Sequence, residues 1–344
     1  MNRFTSARFP SIIGCLVLLA AVIAPQVVHA TVWQATVGAQ SADDGVQALA
    51  FLSDELWIHA GDSVTWTFPT HEIHTVTFLK PGQVRPPRPG AGGGCPGTTP
   101  DGSSFDGSAC VTSGDDDFVD GKTYTVTFPT AGNFKLVCLV HNNMTGAVHV
   151  LENSEVLPHD QAFYAAQAHQ DQTQLLADGA RLKGRGTATA QQTPGDEVTV
   201  GIGEIVANGG GSHTVSVMRF LKDKIVVRVG DTVEWTNLDP ITPHTVTFGP
   251  EPSGPPQPPS AGVTVDTDGA RHAVLISPAE SVHSGFLQAA LQDRVGLAQF
   301  PLGVTRFRVT FESPGTFNYI CVLHDDLGMK GTVIVKRRQD GHRN

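Results

Sequence analysis

Three observations predict an all-β chain of two β-sandwiches joined by a helical linker. The first is internal repetition: Phe51–Trp66 (FLSDELWIHAGDSVTW) is matched by Phe220–Trp235 (FLKDKIVVRVGDTVEW) within 344 residues, and self-similarity at this scale marks a duplicated structural unit. The second is period. Both copies alternate apolar and polar residues, turn at Gly-Asp and alternate again, which is the pattern of paired, half-buried antiparallel strands. The third is a pair of matched endings, Gly132–Met144 and Gly315–Met329, in which a strand finishes on a cysteine and a short turn then offers a histidine and a methionine.

Taken in order, residues 1–30 read as a secretory signal. Arg3 and Arg8 supply a basic start, Ile12–Ala24 is an apolar run of 13 residues, and Val28-His29-Ala30 is an acceptable cleavage site, so the mature chain is expected to begin near Thr31. Lipoprotein processing at Cys15 is the rival, but most of the apolar run follows that cysteine rather than preceding it. No later stretch is long and apolar enough to span a membrane, so the expected location is exported, periplasmic or extracellular. The formal charge of −10 and the 7% aromatic content argue against nucleic acid as a partner and favour basic protein partners.

The first sandwich is expected over 31–152. Its strands lie near Val32–Val37, across Phe51–Trp66, at His74–Phe78, Tyr124–Phe128 and Gly132–Cys138, and at Gly146–Leu151. The linker spans 153–190, with a helix over roughly 161–178. Asp160 stands near its N-cap, Phe163, Tyr164, Leu175 and Leu176 are available to dock it, and Gly184-Arg185-Gly186 is expected to end the helical region. Gln191–Asp196 reads as a short flexible joint. The second sandwich is expected over 191–337, with strands at Val198–Ile202, Phe220–Trp235, His244–Phe248, Phe307–Phe311, Gly315–Cys321 and Gly331–Lys336, followed by a polar tail at 338–344.

Each sandwich carries a long insertion, since 64 residues separate His74 from Cys138 and 77 separate His244 from Cys321. Both begin rich in proline, at Pro81–Pro89 and Pro250–Pro259, and so cannot be central strands. The second includes Ser284–Phe300, where Leu287, Leu291 and Val295 would share one face of a short helix. Val111-Thr112-Ser113-Gly114 echoes Val282-His283-Ser284-Gly285, as if the insertions share an origin.

Removal of the signal leaves four cysteines. Cys95 and Cys110 lie 15 apart in a Gly/Ser/Asp-rich insertion, and in an oxidising compartment they are the expected disulfide. The alternative, pairing among all four, would require Cys138 and Cys321 to meet from equivalent positions of two domains. Of the three mature methionines, Met144, Met218 and Met329, two fall at the loop ends. The bland reading of a methionine is core filling, and matched placement in both repeats weighs against it.

A thiolate, an imidazole and a thioether in one loop form a soft ligand set, and soft sulfur ligands with imidazole select copper over hard cations. Each loop lacks one histidine, which the identical pentapeptide His-Thr-Val-Thr-Phe supplies upstream as His74 and His244. Structural zinc would normally take more thiolates and no methionine. Glu72 and Asp239 lie close enough in sequence to the first histidines to contact them. His71 has no counterpart in the second repeat and reads as surface; His59, His149, His213, His272 and His283 read as structural or solvated.

On these residues each repeat resembles a cupredoxin, of the plastocyanin/amicyanin/pseudoazurin family of blue copper proteins. The resemblance implies a Greek-key sandwich in each repeat and one type 1 copper in each. The ligands would be His74, Cys138, His141 and Met144 in the first, and His244, Cys321, His324 and Met329 in the second. The loops differ: Cys-x₂-His-x₂-Met is the amicyanin-like length and Cys-x₂-His-x₄-Met the plastocyanin-like length. Many family members follow the first histidine with an asparagine that braces the ligand loop, whereas Thr75 and Thr245 stand there in this chain. The resemblance also implies that the edges of His141 and His324 reach the surface, where electrons enter and leave. A redox protein, such as a cytochrome or an oxidoreductase, would then be the partner. Asn142-Asn143 against Asp325-Asp326 further implies unequal potentials.

Two other functions compete. Copper storage or delivery usually relies on Met- or His-rich tracts, and the chain has none. Two-domain copper oxidoreductases need additional histidines in His-Cys-His and His-x-His patterns. The thiolates are instead flanked by Val137, Leu139, Ile320 and Val322, and no His-x-His occurs, which leaves only a site assembled at an interface.

Overall fold

The computed structural model describes residues 30–114, 121–253, 258–288 and 304–338. The expected signal at 1–30 and tail at 338–344 lie almost wholly outside the described residues.

The first repeat contains β1 (Val32–Gln40), β2 (Val46–Leu52), β3 (Glu55–His59), β4 (Ser63–Phe68), β5 (Thr77–Phe78), β6 (Ser103–Ser104), β7 (Val111–Thr112), β8 (Lys122–Thr127), β9 (Gly132–Val137) and β10 (Thr145–Leu151). Helix α1 (Gln161–Gln192) follows. The second repeat contains β11 (Glu197–Ala207), β12 (Ser212–Leu221), β13 (Lys224–Arg228), β14 (Thr232–Leu238), β15 (Thr247–Phe248), β16 (Thr264–Val265), β17 (Arg271–Leu275), β18 (Val282–His283), β19 (Arg306–Phe311), β20 (Gly315–Ile320) and β21 (Lys330–Lys336).

Each repeat is a two-layer sandwich, and the two layers correspond strand for strand. One layer runs β2-β1-β4-β8 in the first repeat and β12-β11-β14-β19 in the second; the other runs β3-β10-β9-β5-β7 and β13-β21-β20-β15-β18. Alternation places Val64, Trp66 and Phe68 of β4, and Val233 and Trp235 of β14, between the layers. Cys138 and Met144 belong to the first core, Cys321 and Met329 to the second.

The two sandwiches share a sheet. Edge strand β2 pairs antiparallel with edge strand β12, Ala48 opposite Val215 and Val46 opposite Val217, so two exposed edges that would otherwise invite association cover each other. Every residue of β2 is buried. Leu49 and Phe51 face the first core, while Val46, Ala48, Ala50 and Leu52 face α1 together with Val215, Val217, Leu175 and Leu182. A strand covered on both faces loses the polar half of its alternation.

Helix α1 is longer than the expected 161–178. Asp160 caps it, its side chain accepting from Phe163 N–H at 2.9 Å, but Gly184 and Gly186 lie within the helix and do not end it. A glycine interior to a helix costs about 1 kcal/mol, and packing offsets this at Gly179 and Gly186. A Cβ on Gly179 would lie 2.2 Å from Val46 Cγ1, and one on Gly186 would lie 2.6 Å from Leu221 Cδ1. The glycines let the helix lie close against the seam. The expected joint at 191–196 is tied down: Lys222 Nζ donates to Thr193 O and Oγ1 and to Pro194 O.

The short helix expected over Ser284–Phe300 does not begin where proposed, since Ser284–Gln288 has no helical residue. Leu287 instead pairs with His244, N–H to O in both directions at 3.0 and 2.7 Å; residues 289–300 lie outside the described residues. Cys95 and Cys110 form the disulfide, with Cα atoms 5.2 Å apart. Among the described residues no helix is long and apolar enough to cross a membrane.

Candidate metal centres

His74 sits three residues before β5, and β5 pairs with β9, whose end delivers Cys138. Beyond Cys138 the loop folds back on itself: Cys138 N–H donates to Met144 O and Met144 N–H to His141 O. The second repeat closes the same way, Cys321 N–H to Met329 O and Met329 N–H to His324 O. These bonds place His74, Cys138 and His141 together in one cluster and His244, Cys321 and His324 in another, all buried. Met144 and Met329 are fully buried beside the cysteines.

The ring nitrogens face inward. His141 Nδ1 lies 3.2 Å from His74 Nδ1 and 3.8 Å from Cys138 Sγ. His244 Nδ1 lies 3.1 Å from His324 Nδ1, with Cys321 Sγ 3.8 and 3.3 Å from the two. An ion bonded at about 2.0–2.3 Å to two nitrogens and a sulfur in a plane would hold them about 3.5–3.8 Å apart. Both triangles are close to that size, and a His₂Cys plane with a weak axial methionine is the donor set of electron-transfer copper.

Burial would push each thiol up, but the neighbouring imidazoles outweigh it and hold Cys138 and Cys321 well below the ordinary thiol value. Burial likewise opposes the imidazolium forms. His141 is nevertheless raised to about 10 by Cys138 and Glu72, and His244 to about 9 by Asp239 and Cys321. Both clusters thus favour the thiolate, the form in which cysteine binds a metal, and a metal would displace the proton held on His141 or His244.

A glycine seats each upstream histidine. Gly38 in β1 (φ 77°) and Gly201 in β11 (φ 61°) sit at bulges, where a side chain would be strained. A Cβ there would lie 2.7 Å from His74 Nε2 or 2.2 Å from His244 Nε2. The shared Thr-Val-Gly at 36–38 and 199–201 was the available signal. The bracing expected of an asparagine is made by threonine: Leu139 N–H donates to Thr75 Oγ1 at 2.8 Å and Val322 N–H to Thr245 Oγ1 at 2.9 Å. Thr75 N–H and Thr245 N–H each reach their thiolate at 3.4 Å.

The surroundings of the two triangles differ. At the first, His141 N–H also donates to Cys138 Sγ at 3.4 Å, and Arg85, from the proline-rich insertion, donates to Cys138 O and Asn142 Oδ1. At the second, His324 N–H donates to Cys321 O instead. The buried carboxylate of Asp239, fixed by Ile241 and Thr242 N–H, lies 3.9 Å from His244 Nε2, too far for a hydrogen bond but close enough for charge attraction. The echoed segments hold equivalent places, Ser113 and Ser284 each exchanging hydrogen bonds with the residue two after the upstream histidine, Val76 and Val246.

The expectation that His141 and His324 reach the surface is corrected: they are 1% and 3% exposed. The β2–β12 seam brings the two ligand loops together, so that Leu327 packs in the first core and Arg219 of β12 donates to Leu327 O at 2.6 Å. Glu72 fills the space between the histidines, Oε1 3.2 Å from His141 Nε2 and Oε2 3.6 Å from His324 Nε2. Among the remaining histidines, His71 is half-exposed beside Asp44 at 3.5 Å, and His149 stacks on Trp57.

A family model described as copper binding proteins of the plastocyanin/azurin family matches residues 37–151 and again 206–336. Similar solved structures include the oxidized form of plastocyanin from Dryopteris crassirhizoma (24% identity, 41% of this chain and 99% of that one, TM-score 0.21). An oxidized amicyanin mutant is similar at 19% identity over 35% of this chain and 82% of that one, TM-score 0.24. No curated protein sequence matches the chain significantly.

Proposed function

The chain belongs to the plastocyanin/azurin family of copper-binding proteins, and on that premise we propose that it is an exported electron carrier with two type 1 copper sites, one per repeat. The ion would be held by His74, Cys138 and His141 with Met144 in the first repeat, and by His244, Cys321 and His324 with Met329 in the second. The observation that carries this reading is the pair of buried Nδ1, Nδ1, Sγ triangles, each already near the size a trigonal ion needs. Bound copper would supply one-electron chemistry through its Cu(I) and Cu(II) states. The protein contributes a rigid donor set, excluded water and hydrogen bonds to the thiolates, all of which limit rearrangement between the two states.

The surroundings support unequal potentials. Arg85 and the second N–H on Cys138 stabilise the reduced state of the first site, while Asp239 stabilises the oxidised state of the second. Electrons therefore rest on the first site, and about 59 mV of separation favours it tenfold. The partner is a redox protein with a basic face, suited to the acidic surface. Burial of both sites counts against storage and delivery, which require exchange of the ion.

Copper content and the visible spectrum test the reading, alongside Cys138→Ser and Cys321→Ser. Two coppers per chain and an intense thiolate-to-copper band, reduced by about half in either variant, are expected. A band abolished by one substitution and untouched by the other would leave only one site. Loaded protein without the band would remove the type 1 reading altogether.

A further inference from the structure

We propose that Glu72 joins the two metal centres into one electron-exchange unit, its carboxylate bridging the outer ring nitrogens of His141 and His324. The proposal rests on the reading that both triangles hold copper. One carboxylate oxygen meets each ring, at 3.2 and 3.6 Å, so with C–O bonds of about 1.2 Å the two Nε2 atoms lie within about 9 Å of each other. The path runs from the Cys138/His141 donors through Glu72 to the His324/Cys321 donors without entering solvent, since Glu72 is 6% exposed.

Three features set this carboxylate apart from a fold requirement. The equivalent position in the second repeat, two residues before the histidine, is Thr242, and the buried carboxylate of that loop, Asp239, stands beside His244 of its own repeat rather than between the two repeats. Burying a carboxylate is costly unless charges meet it, and the groups meeting Glu72 are two metal-ligand rings from different repeats. A ligating histidine ordinarily gives its second N–H to an acceptor of its own, whereas one residue here serves two centres.

The edges through which single-site carriers exchange electrons are thus turned toward each other. In the internal step the second site gives up one electron and is oxidised as the first accepts it and is reduced. No bond forms or breaks, and the external donor and acceptor are the redox partners already invoked. The chain would hold up to two electrons, and a chain carrying one would pass it between its halves before passing it on.

The test uses the full mature chain loaded with two coppers, confirmed by metal analysis and by the thiolate band. Failure at that stage would refute the two-site reading itself, separately from the bridge. A photogenerated reductant then places less than one electron per chain, and redistribution is followed in the visible band and by freeze-quenched electron paramagnetic resonance. A first-order phase whose rate does not depend on protein concentration is expected. It should vanish in Cys321→Ser. In Glu72→Ala it should slow by about tenfold or more, because a charge-assisted contact is replaced by a gap. Rates are compared at equal copper content and corrected for the driving force measured by voltammetry on the same samples. Glu72→Gln, which keeps the shape but offers one acceptor oxygen, should fall between, and it serves if the alanine variant does not fold. A merely structural Glu72 would shift the melting midpoint and leave the corrected rate within about twofold, which would overturn the proposal. So would a wild-type relaxation that scales with protein concentration.

Discussion

His74 and His244 owe their positions to what is missing beside them. Gly38 and Gly201 supply a left-handed backbone and leave room for the ring. Gly38→Ala is expected to destabilise the chain by at least about 1–2 kcal/mol from backbone strain alone. It should also displace His74, so urea denaturation of the apoprotein and copper titration should weaken together. If copper affinity at the first site survived the substitution, the seating role would be refuted. The eight metal-ligand candidates were legible because copper chemistry restricts them to few residue types at fixed spacing. The glycines were not, because a glycine in a strand reads first as a weak point and only the fold reveals the ring it admits. Glu72 was noticed as a neighbour of His74; its second partner, His324, is 252 residues away and belongs to an interface that no local pattern encodes.

At the scale of elements, α1 sets two effects of glycine against each other. Gly184 has open space where a Cβ would stand, while Gly179 would drive one to 2.2 Å from Val46 Cγ1 and 2.7 Å from Val215 Cγ1. Gly184→Ala should therefore stabilise by about 0.5–1 kcal/mol through helix propensity and backbone entropy. Gly179→Ala should destabilise by about 1–3 kcal/mol through overpacking, despite the same propensity gain. Thermal melts of the two variants distinguish this from a free-standing linker helix, in which both changes would stabilise. Of the two glycines that look like a stop in sequence, Gly186 is a contact in three dimensions, against Leu221, while Gly184 faces open space and is simply carried within the helix. Strands with one wet face, such as β4 and β14, were legible from alternation; β2 carries VQALAFL because α1 covers its other face.

The whole molecule is fastened where the repeats, the helix and the ligand loops converge. Asp43 in the β1–β2 turn accepts from Lys183 of α1 at 2.6 Å, and Arg219 of β12 donates to the Asp43 carbonyl. Hydrogen bonds from Lys183 first, and then Ser41, hold Asp43 well below the ordinary carboxylate value of 3.8. Its folded pKa is depressed, so the contribution is present above the ordinary value and is lost as pH falls through the folded one. Lys183→Met in the apoprotein should lower the melting midpoint at neutral pH by an amount that shrinks progressively below about pH 4; a difference constant down to pH 2 would contradict it. Duplication, sandwich class and the two His-Cys-His clusters were readable from local pattern, whereas the shared sheet was not, because either edge strand alone reads as an ordinary edge. The central claim, two copper centres facing each other across that seam, is tested most directly by anomalous diffraction at the copper edge from crystals of the loaded protein. Two peaks are expected, one inside each His-Cys-His triangle, with Glu72 between them. A single peak, or one on the Glu72 side of His141 and His324, would contradict the account.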